Sequence, residues 1–391
     1  MSRENKLLIL GASVRAAAFS ALAAGLEPIC GDAFADADLR QACQATVATP
    51  YPTGLIEIAH AAQPGPWMFT GALENQPELI ARISAERPLL GNGPQAISGV
   101  RDPFAVARAL AAAGLSSPAL RRTSAGLARD GSWLRKPLKS SGGAGIIPWA
   151  NSADDDRTAA KPNRGSRYYF QQRISGRSCA AIYLAAAGAS QLLGASEQLL
   201  RAGAPDSLFC YAGSVGPLPL STDAADRLRR IGEVLTAEFQ LVGLLGVDYI
   251  DDGQDVWPVE VNPRYTASVE ILERGLQFSA VGWHIAACCE GRLPGDAIRP
   301  DELRRGGSPH WRAKRILFAR RKSVVDQPTA EALLASSQRD GFPTIADIPC
   351  AGAKLLPGWP ILTLFGRGAS REEALAEIDH SSATLADRLP I

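Results

Sequence analysis

Val247–Glu273 reads VDYIDDGQDVWPVEVNPRYTASVEILE. Val247–Ile250 and Val256–Val261 each have the composition of a short strand. DDGQD between them is hairpin-turn chemistry, with Gly253 free to take a positive φ. Pairing the two strands sets Asp248 beside Glu260. Asn262, two residues beyond Glu260 on an extended chain, faces the same side. Two carboxylates and an amide oxygen form a hard-oxygen set suited to Mg²⁺, which takes few protein ligands and leaves its other positions to water and phosphate oxygens. Arg264 follows directly, with a planar fork that fits phosphate or carboxylate. An acidic hairpin alone can equally be a solvated turn, so a second motif has to carry part of the argument.

That motif lies upstream. Trp133–Lys136 (WLRK) reads as a strand and runs into PLKSSGGAGI, which holds Lys136, Ser140, Ser141, Gly142, Gly143 and Gly145. Glycines let backbone N–H groups turn toward phosphate oxygens, and a lysine adds point charge. The GK[ST] ending of a P-loop is missing, and a mobile Gly/Ser loop would look the same by spacing alone. Taken together, Glu260-Val-Asn-Pro-Arg264, Asp248 and the K-P plus SSGGAG run resemble the ATP-grasp superfamily, most specifically over residues 133–176 and 243–275.

The resemblance implies ATP with Mg²⁺ (or Mn²⁺) as cofactors and Asp248, Glu260 and Asn262 as metal ligands. It puts Lys136, Ser140, Ser141, Gly142 and Gly143 on the nucleotide phosphates. Gln171, Gln172 and Ile174 of YYFQQRISG take the places that hold adenine. Ser178 stands where related ligases often have a ribose-binding Glu. Many members place a phosphate-binding Lys near residue 101, where this chain has Arg101. Arg264 and Lys136 become the catalytic pair. The implied fold is α/β and α+β: a Rossmann-like N-terminal domain over 1–100, a two-lobed ATP-grasp domain over 101–292, and a small β-rich C-terminal domain over 310–391.

The rest of the sequence is compatible with that frame. KLLILG followed by GASVRAAAFSALAAGL and a second short strand ending at Asp32 is a βαβ opening. It lacks the G-x-G-x-x-G of a dinucleotide site, so Asp32 on a nicotinamide ribose is a weak alternative. Gly71, Glu74 and Asn75 lie just past a strand at Trp67–Thr70, the edge where open α/β sheets gather ligands. Glu74 and Asn75 are therefore candidate acceptor-substrate contacts; equally, Asn75 and Gln76-Pro77 could simply cap the helix PELIARIS. LLGNG at 89–93 resembles a further strand, Asp102-Pro103 opens a helix, and Asn151–Arg167 has the polar composition of an exposed insertion. Asp223–Phe239 is an amphipathic helix with Leu228, Ile231, Leu235 and Phe239 on one face. Gly291–Pro309 marks a boundary.

The chain of 391 residues is 46% apolar and 21% charged, and 41 Lys plus Arg balance 40 Asp plus Glu to a net charge of +1. That balance gives no reason to expect nucleic acid or an acidic membrane surface. Seven scattered cysteines without metal-finger spacing suit reduced thiols, and no apolar run reaches bilayer length, so the expectation is a cytoplasmic protein with an open oligomeric state. The expected reaction joins a small-molecule carboxylate, activated as an acyl-phosphate, to an amine, with ADP and phosphate released; coenzyme biosynthesis is one setting. The alternatives are a carboligase like biotin carboxylase using bicarbonate, a nucleotide-binding module without catalysis, and a nicotinamide oxidoreductase.

Overall fold

The computed structural model describes residues 5–150, 168–201, 208–295, 311–339, 342–386 and 389. The proposed insertion Asn151–Arg167 and the end of the Gly291–Pro309 boundary lie outside the described residues.

The N-terminal strands β1 (Lys6–Leu10), β2 (Glu27–Asp32), β3 (Gln44–Val47) and β4 (Trp67–Phe69) form a parallel sheet in the order β3-β2-β1-β4. This is the βαβ layout expected from the apolar runs. LLGNG contributes only a bridge from Leu89 to Trp67. Four more strands, β5 (Leu120–Arg121), β6 (Asp130–Pro137), β7 (Ile147–Ala150) and β8 (Tyr168–Gln172), make a small sheet ordered β5-β8-β6-β7.

The largest sheet is built on β9 (Arg177–Ala186), β10 (Ala189–Leu200), β11 (Tyr211–Gly216), β12 (Gly243–Asp251) and β13 (Val256–Asn262). Downstream come β14 (Trp311–Phe318), the two-residue strands β15 (Ser323–Val324), β16 (Gln338–Arg339), β17 (Phe342–Pro343), β18 (Ile345–Ala346) and β19 (Lys354–Leu355), and finally β20 (Pro360–Gly368). The C-terminal strands do not stand apart from the central ones. β14 pairs with β11, and one eight-stranded sheet runs β13-β12-β9-β10-β11-β14-β20-β18.

Both faces of this sheet are covered at its centre, which explains the unbroken apolar run of β9. Ile182, Leu184 and Ala186 pack with Val14, with Ala17 and Ala21 of the N-terminal helix Arg15–Ala23, and with Val269 and Leu272. Cys179, Ala181, Tyr183 and Ala185 point the other way, onto Leu228, Ile231 and Leu235. Those three residues are the apolar stripe of helix Thr222–Phe239, whose first turn is capped by the Ser221 hydroxyl accepting from Ala224 N–H. Helix Pro103–Ala112 starts as expected, with Asp102 accepting from Phe104 N–H and Pro103 in the first turn. Among the described residues no helix is long and apolar enough to cross a membrane.

Candidate functional site

Strands β12 and β13 are antiparallel, and Asp248 is registered opposite Glu260. Val247, Tyr249 and Val261 are buried against helix Thr222–Phe239. Asp248, Glu260 and Asn262, the alternate positions, therefore share the opposite face. The turn acids have a different job: Asp252 accepts from Gln254 and Asp255 N–H, and Gly253 takes φ 87°. Register shifts between Asp248 and Tyr249 and leaves Val259 without a partner on β12. Its carbonyl accepts instead from Lys136 Nζ at 3.1 Å, while Gln171 Oε1 accepts from the same ammonium at 3.0 Å. Lys136 on β6 thus reaches from the small sheet to the metal-type hairpin of the large one.

The glycine loop follows Lys136 and lies against Phe209–Tyr211. Gly142 and Gly143 have φ of 61° and 80°, and a Cβ on Gly143 would come within 1.9 Å of the Phe209 carbonyl oxygen. Only glycine fits there. The Ser140 carbonyl accepts from Asn75 Nδ2 at 3.0 Å and from Arg101 Nη2 at 3.2 Å. Arg101 also donates through Nη1 to Glu260 Oε1 at 2.5 Å. Arg264 is gripped by Glu74, with Nε to Oε2 at 2.9 Å and Nη2 to Oε1 at 2.5 Å, and its Nη2 meets Asn262 Oδ1 at 3.2 Å.

These bonds decide several open points. Asn75 does not cap helix Pro77–Ser84, whose N-cap has no side-chain bond; its amide reaches the glycine loop. Arg264 pairs with Glu74, and Glu270 takes Arg15, Arg274 and Lys314. The carboxylate of Asp32, 1% exposed, accepts from the backbone N–H of Val14, Phe34 and Ala35, so it serves the turn after β2 rather than a ribose. In the segment expected to hold adenine, the Gln172 side chain turns back to Ala119 N–H, and Gln171 is committed to Lys136. Ile174 lines the cleft.

The charges of the carboxylate pair are set by their surroundings. Burial and then the Glu260 carboxylate push Asp248 up to about 7, against the pull of Arg264, Gln198 and Lys136. Burial opposes ionisation of Glu260 as well, but Arg101, Lys136 and Arg264 outweigh it and hold this carboxyl below its usual range. A dication between the two oxygens would favour both charged forms, so the donor set fits a hard metal ion.

One cleft of about 700 Å³ contains Lys136, Gln198, Asp248, Glu260, Asn262 and Arg264, while Arg101 lines a smaller adjoining pocket with Lys136, Ser140 and Glu260. The outer end of the cleft has Leu134, Ile146, Ile174, Leu200 and Phe209; its middle has Lys136, Asp248, Glu260, Asn262 and Arg264. The far end was not foreseen from sequence. Arg15, Lys314, Asp347 and Thr363 line it, brought from opposite ends of the chain. Arg15 spends its fork on Glu270 and Asp347, whereas among the described residues Lys314 donates to Glu270 Oε2 at 3.2 Å, one bond for an ammonium with three N–H groups.

Residues 100–268 match the model of the ATP-grasp domain family. Over that stretch the chain is similar to the ATP-grasp domain family. Solved structures match it along almost its whole length. An N5-carboxyaminoimidazole ribonucleotide synthetase in its ADP complex is 16% identical with a TM-score of 0.70, covering 100% of this chain and 98% of that one. The biotin carboxylase domain of 2-oxoglutarate carboxylase from Hydrogenobacter thermophilus, with MgADP and bicarbonate, is 14% identical at 0.70, covering 99% and 90%. The L-amino acid ligase of Bacillus licheniformis is 15% identical at 0.68, covering 98% of each chain. At such identities the likeness is one of fold. No curated protein matches the sequence.

Proposed function

We propose that this protein is an ATP-dependent ligase of the ATP-grasp type that activates a carboxylate as an acyl-phosphate and joins it to an amine. The observation that carries the reading is Lys136, from the small sheet, bonded to the Val259 carbonyl next to Glu260, so that it lies in a single cleft with the Asp248–Glu260 pair of the large sheet. Both the N5-carboxyaminoimidazole ribonucleotide synthetase and the L-amino acid ligase that share the fold bear names of reactions forming carbon–nitrogen bonds.

In this reading the apolar outer end takes adenine. The glycine loop and Lys136 hold the phosphates, and Asp248, Glu260 and Asn262 hold Mg²⁺. The metal, when bound, neutralises charge on the transferring phosphoryl group. A substrate carboxylate oxygen attacks the γ-phosphorus and ADP leaves. The amine nitrogen then attacks the acyl carbon, phosphate leaves, and the nitrogen gives up a proton. Arg264, oriented by Glu74, faces the middle of the cleft and stabilises the developing anion. The far end holds the acceptor, with the free donors of Lys314 meeting an anionic group on it. We place the protein in the cytoplasm, where its free thiols stay reduced.

The test is ADP release measured across panels of small acids, bicarbonate and amines, with hydroxylamine added to trap an acyl-phosphate as hydroxamate. We expect acid-dependent hydroxamate in the wild type and its loss in Glu260→Gln. ADP release that no acid stimulates, alongside tight Mg·ATP binding, would leave a nucleotide-binding module and overturn the ligase.

A further inference from the structure

The metal-type oxygens already carry donors from the chain itself. Gln198 Nε2 donates to Asp248 Oδ1 at 2.8 Å and Asn262 Nδ2 to Asp248 Oδ2 at 3.2 Å. Asn262 Oδ1 accepts from Arg264. Glu260 has the strongest partner, the Arg101 guanidinium at 2.5 Å. Arg101 is held in place as well as charged. It sits where helix Pro94–Val100 ends and the Asp102 cap begins, and its side chain is only 12% exposed. The other branch of its fork lies on the Ser140 carbonyl, at the mouth of the glycine loop, with Asn75 Oδ1 at 3.4 Å. One guanidinium therefore spans the metal acid and the phosphate loop.

A shielded carboxylate needs a compensating cation, and here Arg101 supplies it. A divalent ion on Glu260 would face that guanidinium at short range in a medium of low dielectric, where like charges repel strongly. Phosphate oxygens would remove the conflict, because a guanidinium fork fits phosphate as it fits carboxylate.

We propose that Arg101 is a charge latch on Glu260. It keeps divalent metal out of the empty site and releases the acid only when nucleotide phosphates take over the guanidinium, so metal and nucleotide enter together. The inference rests on the reading of Asp248 and Glu260 as metal acids.

Mn²⁺ binding followed by electron paramagnetic resonance tests it on the full chain, with no turnover needed. In the absence of nucleotide, Arg101→Met should bind Mn²⁺ at least tenfold more tightly than wild type, and adding Glu260→Gln should cancel the gain. With a non-hydrolysable ATP analogue present, wild type should bind Mn²⁺ tightly while Arg101→Met binds the analogue more weakly. Arg101→Lys keeps the charge but loses the fork; it should give a smaller gain in nucleotide-free Mn²⁺ affinity and provides the measurement if the Met variant fails to fold. Nucleotide-free Mn²⁺ affinity that is unchanged or weaker in both variants overturns the latch. Wild type that binds no Mn²⁺ even with the analogue refutes the metal reading itself, and the latch falls with it.

Discussion

Replacing Lys136 with Met isolates one cation whose charge is matched by neutral oxygens. Arg101 is paired with Glu260, and Arg264 with Glu74. Lys136 Nζ donates to the Gln171 amide oxygen at 3.0 Å and the Val259 carbonyl at 3.1 Å, and the residue is 6% exposed. In the proposed complex it gains one charge-assisted bond to a phosphate oxygen, worth about 1.5–3 kcal/mol. At about 1.4 kcal/mol per decade, its loss raises Kd for a non-hydrolysable ATP analogue by about tenfold to about a hundredfold. Met keeps most of the stem and loses only the ammonium, which lies 5.8 Å from the Tyr169 ring centroid, so packing changes little. Leaving the Val259 carbonyl unpaired costs about 1–3 kcal/mol of stability, which sets the need for a circular-dichroism control at the titration temperature. Calorimetric titration with Mg²⁺ and the analogue reads the effect, and adenosine alone should bind both proteins equally. Analogue affinity within twofold of wild type, in a folded variant, would refute the placement of Lys136 on the phosphates.

Two further substitutions separate positioning from contact and from stability. Glu74 orients Arg264 through two bonds with a side chain only 1% exposed, so Glu74→Gln should lower kcat more than it raises the KM of either substrate; a rise confined to the acceptor KM would make Glu74 a direct substrate contact. His284, 2% exposed, accepts from Leu244 N–H at 2.9 Å through Nδ1 and meets the Leu90 carbonyl at 3.1 Å through Nε2, and burial lowers its pKa to about 4. A base with a depressed folded pKa stays neutral in the native state while the unfolded chain protonates near 6.5, so its share of stability is intact above that pH and lost as pH falls toward 4. Denaturation of wild type against His284→Gln, whose amide can satisfy both partners without titrating, should show their stability difference moving by about 3 kcal/mol between pH 7 and pH 4 in favour of the variant; parallel pH profiles would contradict it.

What could be read from the sequence follows from how far apart the interacting residues lie. Asp248, Glu260 and Asn262 were legible because a turn signal and a two-residue period act within one hairpin, and those are local properties. The glycine loop was legible for a similar reason. The partners that set the charge of these groups were not. Glu74 meets Arg264 across 190 residues, Arg101 meets Glu260 across 159, and Arg15 meets Glu270 across 255. Any acid could have served any cation as far as spacing goes. The choice is made by the packing of helix Arg15–Ala23 against the central sheet and by the pairing of β14 with β11, which carries Lys314 into the cleft. Gln198 shows the same limit: it sits on β10 beside β9, one strand removed from Asp248, and nothing near it in the chain marks it as a donor to a carboxylate. A local motif thus brings candidate groups onto one face, whereas the three-dimensional pairing decides which of them is charged and which is already engaged. That pairing distinguishes Lys136, whose partners are neutral, from Arg101 and Arg264, whose carboxylate bonds must be exchanged or kept when ligands arrive.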